Sequence, residues 1–289
     1  MSPADRLKTL LAGSDMLVLP GCYDALSAKL IERGGFPAAF MGGFAVASTR
    51  LGLPDTGLIS YGEMLDQGRS VCGAVSIPVI GDGDTGFGNA VNVKHTVRGY
   101  HQAGFACVMI EDQVMPKRCG HTAGKEVVGR DEALLRVKAA VDARQEGADI
   151  LIMARTDARA NHGLEEAIAR CEAFSRLGAD ITFLEAPRSQ DEMRAYCEKV
   201  PGYKMANLVE HGKTPLLPAR ELQSLGYKIA IYPLTLLNAS IGAMQNALSC
   251  LQQGMPDPGL MDFKKLREIV GFDAYDAELD RYLSVVNPE

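Results

Sequence analysis

Eight short, continuously apolar runs recur along the chain, each followed by a polar or Gly-rich stretch and then by a segment with helical spacing. The runs are Leu17–Pro20, Ala38–Gly42, Val79–Gly83, Cys107–Glu111, Ile150–Arg155, Ile181–Glu185, Lys204–Leu208 and Lys228–Tyr232. Strands apolar on both sides belong to parallel sheets whose faces are covered by helices. Helix patterns such as Asp131–Gln145, Leu164–Leu177 and Gln190–Lys199 lie between them. Gly34-Gly35, Gly104, Gly147, Gly178 and Gly226 each stand just ahead of a strand, the place where a helix ends in a left-handed residue. Eight such units favour a closed α/β barrel of the (β/α)₈ TIM type over an open doubly wound sheet, which usually has five or six strands.

The chain has 289 residues, against ~250 for a typical barrel. The surplus lies beyond a linker-like stretch, Gly254-Met255-Pro256-Asp257-Pro258-Gly259, where Leu260–Val286 reads as one or two extra helices. The expected organisation is a catalytic barrel over residues 1–254 and a helical extension over 255–289, packing on the barrel or on a neighbouring subunit.

Apolar residues make up 47% of the chain, enough for a large core, and the net charge of −6 comes without a basic stripe, so nucleic-acid binding is not expected. No run of ~18 apolar residues or leader-like start is present, so neither a membrane span nor export is expected. Seven scattered cysteines without a C-x-x-C pair suit a reducing cytoplasm.

In a barrel, chemistry collects where the strands stop. The third run ends Asp82-Gly83-Asp84-Thr85-Gly86. Residues i and i+2 of a strand share a side, so Asp82 and Asp84 are expected to face one site, as hard oxygen donors of the kind Mg²⁺ takes. A Gly/Asp turn explains the same pattern. Glu111, ending the fourth run, either joins that cluster or serves as a cap or ion-pair partner. Lys117-Arg118-Cys119-Gly120-His121 follows, and a thiol flanked by cationic residues is expected to ionise readily and to transfer protons or attack carbon. Arg118 reads equally as a solvated charge and His121 as a neutral orienting group. Arg155 suits bidentate grip of a carboxylate or phosphate, or an ion pair with Glu185. Asn207 and Thr235 are candidate donors to a carboxylate.

With these segments in view, the chain resembles the isocitrate lyase/phosphoenolpyruvate mutase superfamily to about residue 250. The matching segments are Pro20-Gly21-Cys22-Tyr23-Asp24-Ala25, Leu51-Gly52-Leu53-Pro54-Asp55, Asp82-Gly83-Asp84-Thr85-Gly86, Glu111-Asp112-Gln113, Lys117-Arg118-Cys119-Gly120-His121, Ala154-Arg155-Thr156-Asp157, Glu185-Ala186 and Asn207. The segment around Cys119 points to the lyase branch, of the 2,3-dimethylmalate or methylisocitrate lyase kind. The resemblance implies Mg²⁺, replaceable by Mn²⁺, on Asp84, with Asp82 and Glu111 acting through water. It implies a substrate keto-acid end held by the backbone near Gly42, Gly43 and Phe44 and by Arg155. Asp55, Gly120, Glu185, Asn207, Thr235 and Asn238 would line the pocket, with Lys117, His121 and Arg155 counted among the catalytic residues. It further implies a retro-aldol cleavage in which Cys119, on a loop that closes over the site, protonates the departing enolate. Tyr23 and Glu185 are the candidate bases. The family's barrels exchange their last helix between subunits, usually as tetramers.

Two departures bear on the substrate. Gly42 stands where many relatives carry Ser or Thr, and Asn238 where methylisocitrate lyases carry an Arg for a third carboxylate. The first removes a hydroxyl donor; the second argues against a tricarboxylate and favours a dicarboxylate with an apolar substituent, such as an alkylmalate, with Phe44 as an apolar wall. A carboxyphosphonoenolpyruvate-type mutase, a methylisocitrate lyase and an oxaloacetate hydrolase or decarboxylase remain rivals on the same site, and a non-catalytic anion-binding barrel is the rival from another class.

Overall fold

The computed structural model describes residues 1–122 and 124–286. Eight parallel strands close on themselves in chain order: β1 (Leu17–Cys22), β2 (Ala39–Met41), β3 (Val79–Asp82), β4 (Cys107–Glu111), β5 (Leu151–Thr156), β6 (Ile181–Leu184), β7 (Tyr203–Asn207) and β8 (Ile229–Tyr232). The last strand pairs with the first, Leu17 beside Ile229 and Pro20 beside Tyr232. The (β/α)₈ barrel expected from the sequence is therefore present, with strand ends shifted by no more than two residues.

Alternation along the strands explains why the runs are apolar throughout. Leu17 and Leu19, Cys107 and Met109, Leu151 and Met153, Ile181 and Phe183, and Ile229 and Ile231 fill the inside of the barrel. Residues between them, such as Val108, Ile110, Ile152 and Ala154, pack outward against the helices. Leu7 and Leu11 of the helix Pro3–Ala12 join the inner cluster, a plug that the N-terminal sequence did not announce. Gly104 and Gly178 end their helices at φ 96° and 101°, where a Cβ would be strained.

Gly81 shows how tightly the outer layer is fitted. A Cβ there would stand 2.6 Å from Phe105 Cε1 and 2.9 Å from Tyr100 Cε1. The two rings stack with centroids 4.8 Å apart, and Tyr100 donates its hydroxyl to the Asp82 carbonyl at 2.6 Å. The ring pair thus fixes the end of β3.

Packing divides the chain into Met1–Leu237 and Asn238–Glu289. The second unit holds most of the helix Thr235–Gln252 and the helices Phe263–Val270 and Phe272–Val286, so the division falls within a helix, ahead of the Gly254–Gly259 linker. Phe263, Val270, Phe272, Tyr275 and Tyr282 of those last helices are exposed. No helix among the described residues is long and apolar enough to cross a membrane.

Candidate active site

The C-terminal ends of β2, β3, β4, β5, β6 and β7 and the segment 117–121 surround a cavity of about 60 Å³, lined among others by Phe44, Asp55, Asp82, Glu111, Cys119 and Arg155. Asp82 lines it, and Asp84 lies buried behind it. β3 ends at Asp82, and Asp84 turns into left-handed backbone, φ 47°, so strand alternation is not what brings the second carboxylate in. Asp82 serves as a brace: Oδ1 accepts from Asp84 N at 3.0 Å and Oδ2 from Gly43 N at 2.9 Å. The Gly43 amide, expected to hold substrate, is therefore committed to Asp82. The Phe44 amide follows it in the first turn of the helix Gly43–Arg50, whose cap Gly42 offers no side-chain acceptor.

Asp84 is fully buried. Lys117, 3% exposed, places Nζ 2.7 Å from Asp84 Oδ1 and 2.5 Å from Asp55 Oδ1. Burial pushes the Asp84 carboxyl up to about 6 against the pull of Lys117, with Asp82 and Asp55 adding to the rise. Glu111 is also raised well above the ordinary carboxylate range by burial. Asp84 Oδ2 and Glu111 Oε1 have no hydrogen-bond partner among the described residues. Crowded, buried, half-satisfied carboxylates call for a cation. An ion such as Mg²⁺, which takes one or two carboxylates and keeps its waters, is compatible with these two oxygens, although among the described residues no three His, Cys, Asp or Glu side chains converge as a metal cage.

Arg155 stands level with Glu111 in the β4–β5 register. It donates to Asp157 through Nε at 2.8 Å and Nη2 at 3.1 Å, and lies 3.3 Å from Glu111 and 3.2 Å from Glu185. Nη1 is left uncommitted among the described residues and available to an anion. The ion pair with Glu185 and a place in the pocket are both realised. Burial opposes ionisation of Glu185, but Arg155 and His121 outweigh it and hold the carboxyl well below its usual range.

The Lys213 backbone N–H donates to His121 Nδ1 at 3.1 Å, and His121 Nε2 lies 3.2 Å from Glu185 Oε1. Asn207 donates to Glu185 Oε2 at 3.2 Å. Glu185 thus accepts from Asn207 and pairs with Arg155 and His121.

Cys119 corrects an expectation. The side chains of Lys117 and His121 turn away from it, to Asp84 and Asp55 and to Glu185, and the His121 backbone N–H, which favours the thiolate, is outweighed. Burial, with Glu185 and Asp55 nearby, pushes the Cys119 thiol up. It keeps its proton at neutral pH, the state an acid needs. Gly120 beside it is buried.

Three expected positions lie elsewhere. Tyr23 packs against core residues and is not part of the cavity wall. Thr235 is exposed, donates to Glu210 and lines a separate apolar pocket with Val18, Leu30 and Phe36. Asn238 is exposed in the second unit. The turn after β8 delivers Pro233 and Leu234 to the cavity instead. Sequence reasoning also missed Val209, Asp157 and Lys125. Asp157 sat inside a quoted segment, and Lys125 follows Cys119 on the same loop.

The family model described as phosphoenolpyruvate phosphomutase matches residues 7–251. The chain belongs to the phosphoenolpyruvate mutase/isocitrate lyase superfamily. Within this superfamily it is 44% identical to a 2,3-dimethylmalate lyase of Eubacterium barkeri, covering 94% of this chain and 96% of the relative. A structure of oxaloacetate acetylhydrolase with 3,3-difluorooxalacetate superposes with a TM-score of 0.92 at 34% identity, covering 98% and 97% of the two chains. Phosphonopyruvate hydrolase, solved with oxalate and Mg²⁺, superposes at 0.86 with 30% identity, over 98% and 100%. The chain is an enzyme of the superfamily's lyase/mutase type.

Proposed function

We propose that the chain is a Mg²⁺-dependent carbon–carbon lyase that cleaves a 2-hydroxy dicarboxylate of the alkylmalate type, such as 2,3-dimethylmalate, to an α-keto acid and a carboxylic acid. The observation that carries this reading is the wall formed by Phe44, Val209, Pro233 and Leu234 on the same cavity as Arg155 and Cys119. An alkyl substituent placed against these side chains is desolvated, where a carboxylate in the same place would lose its hydration.

Asp84 would hold Mg²⁺ directly, with Asp82 and Glu111 reaching its waters. When bound, the ion polarises the α-oxygen and stabilises negative charge that develops there. Arg155 Nη1 and the Phe44 amide orient the adjacent carboxylate. The C2 hydroxyl gives its proton to Glu185 Oε1, a cavity-lining carboxylate oxygen without a hydrogen-bond partner among the described residues, the C2–C3 bond breaks, and its electrons pass to the C3 fragment as an enolate. Cys119 Sγ–H gives its proton to that carbon. Glu185 also keeps His121 and Arg155 in place, and with its carboxyl held low it is a weak base.

Keto-acid release from a panel of 2,3-dimethylmalate, 2-methylmalate, methylisocitrate, oxaloacetate and phosphonopyruvate with Mg²⁺ tests the reading. Fastest turnover of an alkylmalate is expected. Turnover confined to phosphonopyruvate, or to oxaloacetate, would move the assignment to the mutase or hydrolase chemistry.

We also propose a homotetramer in which residues 255–289 dock on a neighbouring subunit. The exposed Phe263, Phe272, Tyr275 and Tyr282 support it, since a monomer rarely leaves so large an apolar face in water. Sedimentation of the intact chain tests it: four copies are expected, and a monomer at micromolar concentration contradicts it.

A further inference from the structure

Two buried ammonium groups flank Cys119 in sequence, and the second has no part in the chemistry above. Lys125 is 4% exposed. Its Nζ donates to the Gly120 carbonyl at 2.6 Å and to Asp157 Oδ1 at 2.5 Å. Asp157 is the carboxylate that takes Nε and Nη2 of Arg155. Its own backbone N–H is held by Asp112 Oδ1 at 2.9 Å, while Asp112 Oδ2 accepts from Thr156 Oγ1 at 2.6 Å and Arg170 Nη1 at 2.9 Å. Asn161 Nδ2 donates to the Lys125 carbonyl at 2.8 Å. A fixed carboxylate in the barrel wall is therefore linked through one lysine to the carbonyl next to Cys119.

We infer that Lys125 is a positioning residue that ties the Cys119 segment to the carboxylate orienting Arg155, so that thiol and guanidinium are held at one separation. The inference rests on the proposed acid role of Cys119. Burying an ammonium is costly, and stability alone is served as well by an apolar side chain of similar volume. Asp157 already has two bonds from Arg155, so it does not need Lys125 for its own satisfaction. What Lys125 adds is the bond to Gly120, one residue from the reacting sulfur.

The test uses the full chain with Lys125→Met, and Lys125→Gln, which keeps a donor for Gly120 without the charge. Alkylation of Cys119 by iodoacetamide is followed on its own peptide by mass spectrometry, with and without oxalate and Mg²⁺, alongside kcat and KM. Lys125→Met is expected to alkylate about tenfold faster without oxalate, as loss of one charged hydrogen bond allows, and to lose kcat about tenfold while KM stays within about twofold. Lys125→Gln should fall between it and the wild type. Wild-type alkylation in a Lys125→Met protein that melts normally overturns the inference. If Lys125→Met does not fold, a wild-type alkylation rate in Lys125→Gln overturns it instead. Failure of oxalate to protect wild-type Cys119 would count against the proposed pocket, and the rates without oxalate would still decide the role of Lys125.

Discussion

Gly120 and Glu185 approach so closely that a side chain on the first has no place to go. A Cβ on Gly120 would stand 2.6 Å from Glu185 Cδ, nearer still to Oε2, and 2.5 Å from Arg155 Nη2. Gly120→Ala must therefore push the Cys119 segment away from Arg155 and Glu185. Misplacing a reacting group by about 1 Å costs on the order of 100-fold in rate. We expect kcat/KM to fall by about that factor, with a melting temperature close to the wild type's because only a loop is displaced. Steady-state assay together with thermal melting checks both halves, and full activity would mean that the segment does not work in this position.

Asp84 is expected to be indispensable for metal. With Asp84→Ala the buried cluster loses the carboxylate whose Oδ2 has no hydrogen-bond partner among the described residues, and Lys117 keeps its contact with Asp55. A ligand at 100 times its Kd raises stability by ~2.7 kcal/mol. Saturating Mn²⁺ should raise the melting temperature of the wild type and leave Asp84→Ala unmoved. Equal shifts in the two proteins would place the metal elsewhere.

The barrel was legible because its signal is local. Cys107–Glu111 is a strand to the residue, since a parallel strand buried on both faces needs an unbroken apolar run. Cys119, Asp84 and Arg155 stood out because reactive groups gather at strand ends. What could not be read was where each charge turns. Lys117 faces Asp55 and Asp84, far off in sequence, so the raised thiol of Cys119 is a tertiary result that local composition inverted. The bond from the Gly43 amide to Asp82 likewise depends on how β2 and β3 are staggered. Lys125 looks like any surface lysine until Asp157 is brought to it. Thr235 opens the helix Thr235–Gln252 and turns to Glu210, while the bend before it, Pro233-Leu234, is what meets the cavity.

Gly81→Ala tests the outer fit of β3. The added methyl meets Phe105 and Tyr100 at 2.6–2.9 Å, and both rings are buried. Overpacking of this kind costs about 1–3 kcal/mol. The midpoint of urea unfolding should fall accordingly with little change in slope. Because Tyr100 also holds the Asp82 carbonyl, Mn²⁺ affinity should weaken in the same variant. A stability loss without any change in Mn²⁺ affinity would show that the ring pair does not set the carboxylates.

The thiol predicts the pH profile. Free cysteine titrates near ~8.5, and burial first, then Glu185 and Asp55, moves Cys119 above its ordinary value. An acid works in its protonated form, so the Cys119 contribution is present at all pH values below its raised pKa and is lost as pH rises through it. The rate should therefore stay level across neutral pH and past the ordinary thiol value before it falls. In Glu185→Gln one of the negative charges that raise the thiol is gone, and the alkaline limb should move to lower pH. Cys119→Ser should lack that limb and lose most of the rate, since a hydroxyl is a far weaker acid, while still binding oxalate with Mg²⁺. An alkaline limb that keeps its midpoint in Cys119→Ser would assign the titration, and the proton donor, to another group.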